Sequence, residues 1–97
     1  MHAAALQVEI IIRGVRSLKE KRRTVKSVIS DISRTFSASV AEVDHHDLWQ
    51  RTALGIAVVS GHANHHDRIV HSIEKAIRER TDIEVLSTSV EYLERPA

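Results

Sequence analysis

The chain is expected to fold as an α+β two-layer sandwich of βαββαβ order, with two helices on one face of a four-stranded antiparallel sheet. Three observations predict it. Four segments carry apolar residues at the two-residue period of a strand, and the two stretches between them switch to helical spacing. The 97 residues contain no cysteine and no low-complexity or linker segment, so a single domain spanning 1–97 is expected, held by its core alone.

Leu6, Val8, Ile10 and Ile12 alternate with Gln7, Glu9 and Arg13, the period of a half-buried strand. Gly14 permits a turn. Ser17 followed by Glu20 is a capping-box pattern, in which each side chain can satisfy a free N–H at a helix start. From Leu18 the period becomes helical, with Leu18, Val25, Val28, Ile29, Ile32 and Phe36 on one stripe, so the first helix should end near Thr35 or Phe36.

Ser39 to Asp44 reads as a short strand with Ala41 and Val43 on one side and Val40 and Glu42 on the other. A polar hairpin at His45-His46-Asp47 follows. The third strand starts at Trp49 or Thr52 and runs to Ser60, apolar on both faces and hence central. Asn64 is the expected cap of the second helix, with Asp67 reciprocating; its stripe is Ile69, Val70, Ile73, Ala76 and Ile77. Ile83 to Leu93 is the last strand, and its alternation slips between Val85 and Leu86, where a bulge is expected. Arg95-Pro96-Ala97 reads as a tail.

This order is the split βαβ, or ferredoxin-like, pattern. Right-handed crossovers then give the spatial strand order 4-1-3-2 and leave one sheet face uncovered. The open face is expected to carry Gln7, Glu9, Ile11, Val40, Glu42, Gly55, Ala57 and Val59, small and partly apolar, a candidate surface for a homodimer or a protein partner.

Two motifs bear a family resemblance. The first helix opens Ser17-Leu18-Lys19-Glu20-Lys21-Arg22, and the second hairpin reads Asp47-Leu48-Trp49-Gln50-Arg51-Thr52-Ala53-Leu54-Gly55. With Phe36 ahead of Val40-Ala41-Glu42-Val43, they make nearly the whole chain resemble the YlxP-like family, small bacterial proteins classed as a domain of unknown function. The paired His45-His46 and the His62-to-His71 cluster depart from that family. The resemblance implies a ferredoxin-like fold and a bacterial origin. It also implies a setting among translation and ribosome-maturation genes, which points to ribosomal RNA or a ribosomal subunit as partner. No catalytic activity is implied.

Charge distribution points the same way. Net charge is only +1 with histidines neutral, yet Arg13, Arg16, Lys19, Lys21, Arg22, Arg23 and Lys26 face only Glu20 between residues 13 and 26. Lys19, Arg23, Lys26 and Arg34 project within about an 80° arc opposite the apolar stripe at 3.6 residues per turn. Arg22 flanks the stripe, and Arg13 and Arg16 lie on the approach loop. Such a ridge suits a phosphate backbone, with little sequence choice and strong salt dependence. The helix start near Ser17 could also take an anion. The structural alternative is a solvated helix face whose cations pair with acids elsewhere.

The Asp47, Trp49, Gln50 and Arg51 segment has two readings. As structure, which the residues favour, Trp49 would close the end of the core and Asp47 would pair with Arg51 or the turn backbone. As a site it would form a partner-contact hairpin. Sheet-based stacking of bases is not expected, because no aromatic falls on the open face of the first or third strand.

Seven histidines raise a metal hypothesis, but their spacing matches no zinc signature, so no metal or other cofactor is expected and the histidines read as surface groups. Arg13-Gly14-Val15-Arg16 faintly resembles the phosphate loop of acylphosphatase. That chemistry needs an asparagine on a neighbouring strand, and the sole asparagine is Asn64. No catalytic residue is assigned, and a small acylphosphatase-like enzyme is the least favoured function. No segment is apolar enough to span a membrane and Met-His-Ala-Ala-Ala lacks signal-peptide character, so a cytoplasmic location is expected.

Overall fold

A computed structural model describes residues 1–94. The Arg95-Pro96-Ala97 tail lies outside the described residues. Elements follow the expected order: β1 (His2–Ile12), α1 (Leu18–Phe36), β2 (Ser39–Asp44), β3 (Arg51–Ser60), α2 (Ala63–Arg78) and β4 (Ile83–Glu94). The four strands form one antiparallel sheet in the order β2-β3-β1-β4, and its core side packs against both helices.

The core follows the two periodicities. Leu6, Val8, Ile10 and Ile12 of β1 and Leu54, Ile56 and Val58 of β3 face Val25, Val28 and Ile32 of α1 and Val70, Ile73 and Ile77 of α2. Ile29, Phe36, Ile69 and Ala76 border this core half-buried. In α1 the Ser17 hydroxyl accepts from Glu20 N–H at 3.1 Å, and the Glu20 carboxylate accepts from Arg16 N–H at 2.8 Å. The helix ends on Ser37 in left-handed backbone (φ 51°), a usual C-terminal stop. The β4 slip is a bulge: Glu9 pairs with Ser87 and Ile10 with Val85, leaving Leu86 as the extra residue.

Two local expectations are corrected. Asn64 lies inside α2, and His62 takes the cap position in extended backbone without a side-chain capping bond. Ser60 ties this entry instead: its hydroxyl accepts from His62 N–H and donates to His62 C=O, both at 3.1 Å. Val40 and Glu42 lie on the helix side of the sheet, not on the open face. The β2–β3 register sets Val40 opposite Ile56 and Glu42 opposite Leu54, so Ser39, Ala41 and Val43 turn outward. Gly55 makes room there, since a Cβ at that position would stand 2.8 Å from Val43 Cγ1.

Candidate nucleic-acid interface

The antiparallel pairings bring three connections to one end of the sheet: the β1–α1 loop, the β2–β3 hairpin and the α2–β4 turn. Backbone bonds tie them together. Ile12 N–H donates to Gln50 C=O at 2.9 Å and Arg13 N–H to Asp82 C=O at 3.0 Å. Most of the sequence-identified cations are on or next to this end, but they do not form one uniform patch.

Lys21 is the exception that organises the rest. It is fully buried. Its Nζ lies 2.9 Å from Glu42 Oε2 and donates to His45 C=O at 2.7 Å and His46 C=O at 3.2 Å, so the ammonium's three N–H groups each have a partner. Thr52 Oγ1 donates to the same Glu42 oxygen at 2.6 Å. Burial alone would raise the Glu42 pKa; the Thr52 hydrogen bond and the Lys21 ammonium outweigh it, leaving the carboxyl below its ordinary value. His45 sits in left-handed backbone (φ 62°), its N–H donating to Asp44 Oδ1 at 2.7 Å. Lys21 thus bolts the hairpin onto α1 and is withdrawn from the basic surface.

The other cations stay outside. Arg16, Lys19, Arg22, Arg23, Lys26 and Arg34 are exposed. Among the described residues no carboxylate lies within ion-pairing distance of Lys19, Arg22, Arg23 or Lys26. Arg34 Nε donates to Ser30 C=O at 3.4 Å, and Arg13 pairs with Glu84 at 3.4 Å where both side chains are half-exposed. Asp31, also on α1, pairs with Arg80, which also grips Asp82 through two hydrogen bonds of 3.0 and 2.8 Å. Arg13 thus has an acidic partner, while the exposed cations at the centre of the ridge have none among the described residues.

At the hairpin the structural reading is corrected. Trp49 and Leu48 are each 50% exposed and do not close the core. Arg51 pairs with Glu9 at 3.6 Å rather than with Asp47, and His45 Nε2 lies 3.2 Å from the same Glu9 oxygen. Asp47 and Gln50 are exposed, and the turn is closed by Leu48 N–H donating to His45 C=O at 3.1 Å.

At the start of α1 the Glu20 carboxylate accepts from Arg16 N–H at 2.8 Å and from the Ser17 hydroxyl at 3.4 Å, which places a negative charge beside Ser17. The acylphosphatase arrangement is not assembled: Asn64 begins α2 at the end of the sheet opposite the Arg13–Arg16 loop. Among the described residues no group of three or more histidine, cysteine or acidic side chains is placed to hold a metal ion. His66 is not the surface group expected; it is 1% exposed, packed 5.5 Å edge-on to the Tyr92 ring and 6.2 Å from that of His2. No helix among the described residues is long and apolar enough to cross a membrane.

Sequence reasoning missed Lys21, Glu42, Thr52 and His66, although a signal existed for two of them. Leu18, Lys21, Val25, Val28 and Ile32 follow strict three- and four-residue spacing, as do His66, Val70, Ile73 and Ile77. Both polar residues occupy buried-stripe positions.

The strand order, the crossovers and the helices on one face define the class as a ferredoxin-like α+β domain. Within it the chain belongs to the family described as "Protein of unknown function (DUF503)", whose model matches residues 3–90. The uncharacterized protein YlxP of Bacillus subtilis (strain 168) is 43% identical over 54 residues, 56% of this chain and 59% of that protein. The match thus spans under two thirds of that relative's length. A de novo designed protein with a ferredoxin fold, solved by solution NMR, is 17% identical with a TM-score of 0.49, covering 100% of this chain and 88% of that one.

Proposed function

We propose that this protein is a non-catalytic, cytoplasmic RNA-binding module acting on ribosomal RNA or a ribosomal subunit. Lys19, Arg23 and Lys26 contact phosphates, supported by Arg13, Arg16, Arg22 and Arg34. The observation that carries this reading is the run of exposed cations on α1 with no acidic partner among the described residues, although nearby Asp31 is engaged elsewhere. Unpaired charges of one sign on one helix face raise the local potential and attract a polyanion. The implied setting of the resembling family agrees with such a partner.

The test is binding of the purified protein to bacterial ribosomal subunits and their RNA across a salt series, beside a Lys19→Glu/Arg23→Glu/Lys26→Glu variant. On single strands, log K should fall against log salt with a slope of roughly −0.7 per contacted phosphate, and the variant should lose binding. A folded wild type that does not bind even at low salt would sink the reading.

A second reading has its own observation. The open sheet face holds a shallow groove lined by Ala5, Gln7, Ala41, Val43, Gly55 and Ala57, with Val59 and Leu93 exposed beside it. A homodimer or protein adaptor using that face would assemble with little salt dependence, which sedimentation at two ionic strengths distinguishes.

A further inference from the structure

We propose that Trp49 is a base-stacking platform and that the ligand of this end of the molecule is single-stranded RNA. This rests on the phosphate-binding reading above and adds to it the form of nucleic acid recognised. An indole half-exposed at a hairpin tip is costly to leave in water, and here the backbone on both sides of it is anchored. Two anchors bracket it. Behind it, the buried Lys21 ammonium holds the carbonyls of His45 and His46; ahead of it, Gln50 C=O accepts from Ile12 N–H. The ion pair with Glu42 and the Thr52 hydroxyl fix the lysine in turn. The fold has therefore committed a buried charge to holding the limb of a hairpin whose tip displays Leu48 and Trp49.

The cations around this tip supply the complementary charge. Gln50 is bonded to Ile12, and the loop that follows carries Arg13, which pairs with Glu84, and the exposed Arg16. Lys21 is followed by Arg22, which projects about 100° round the helix from it, and the Lys19/Arg23/Lys26 ridge lies beyond. A strand with one base on Trp49 can pass over Arg22 or the loop arginines and lay its phosphates on the ridge, a path of about half the circumference of the helix, ~16–19 Å. An aromatic platform beside a cationic track is the arrangement that binds unpaired nucleic acid with little sequence preference. Bases inside a duplex have both faces occupied by neighbours, so the platform discriminates against paired RNA. Because the platform stands on a hairpin, it differs from sheet-borne stacking, which this fold's open face does not support.

Trp49 is the only tryptophan, so its fluorescence reports on this position alone. The experiment titrates the full chain with a short oligouridylate and with an RNA duplex of equal length, monitoring Trp49 emission where it is present and, for every protein, the anisotropy of a dye-labelled RNA, for the wild type, Trp49→Ala, Trp49→Phe and the triple ridge variant. The wild type should show quenched emission with the single strand and weaker duplex binding. Trp49→Ala should lose roughly 5- to 150-fold in single-strand affinity, while keeping its salt slope because the phosphate contacts remain. Trp49→Phe should retain most of the affinity. Binding that is lost in the ridge variant but unchanged in folded Trp49→Ala, or that leaves the emission unaltered, overturns the platform and spares the phosphate reading. No binding of either RNA by the wild type overturns both.

Discussion

Replacing Lys21 with methionine keeps the length and most of the packing of the side-chain stem and removes only its ammonium. Three partners then lose a donor: the Glu42 carboxylate at 2.9 Å and the carbonyls of His45 and His46 at 2.7 and 3.2 Å. The carbonyls are near the surface and can turn to water. Glu42, whose side chain is 17% exposed, keeps Thr52 as its remaining donor. Breaking a buried pair by removing one member costs about 3–5 kcal/mol, and the partial exposure of Glu42 places this case near 3. Against the roughly 5–15 kcal/mol that stabilises a domain, such a loss is large. Glu42→Leu should cost about as much, since it strands the ammonium instead. Lys21→Met/Glu42→Leu removes both charges and should cost no more than either single change, a coupling energy of about 3 kcal/mol. Urea unfolding followed by far-ultraviolet circular dichroism at neutral pH measures all four proteins. Hydrogen exchange at the amides of 45–50 should quicken in the singles if the lysine holds the hairpin. A loss under about 1 kcal/mol in Lys21→Met, or strictly additive costs in the double variant, would refute the bolt.

Three further outcomes are expected. The carboxyl of Glu42 lies below its ordinary value of 4.5, and that of Asp82 below 3.8 because Arg80 hydrogen-bonds and faces it. Both bind protons less readily folded than unfolded, so their stabilisation is complete above those ordinary values and is lost as pH falls through them towards the depressed folded values. The urea midpoint should drop across that acid range, less steeply in Glu42→Gln; superimposable curves would contradict this. Gly55→Ala should destabilise by about 1 kcal/mol, because its Cβ meets the Val43 side chain, with Val43→Ala restoring the loss. Chemical denaturation of the single and double variants checks it, and a Gly55→Ala protein as stable as wild type would remove the steric argument. Finally, neither ring nitrogen of buried His66 has a hydrogen-bond partner among the described residues, so His66→Phe should raise stability by about 1 kcal/mol while keeping the edge contact with Tyr92. A lower melting temperature in that variant would show that the imidazole is satisfied.

Much of this molecule was legible in its residues. The switch of apolar period from two to 3.6 and back marks all six elements, because a half-buried strand and a surface helix each have one apolar face. The Ser17/Glu20 capping box and the Leu86 bulge are equally local, and each can be read from a few neighbouring residues. The basic ridge was visible as well, since residues on one helix face are fixed by spacing alone.

What spacing could not decide was which chemistry meets which across the fold. Periodicity puts Lys21 and His66 on buried stripes, but only docking of the hairpin and sheet reveals that one is neutralised by Glu42 and the other sits between rings. The faces of β2 were likewise undetermined, because Val40 and Glu42 can turn either way until pairing with Ile56 and Leu54 chooses. Trp49 could have closed the core or stood outside it, depending on where the Lys21 bolt places the hairpin. In each case the deciding partner lies on another element, and a charge, a strand face or an aromatic takes its role only when folding supplies what stands opposite it.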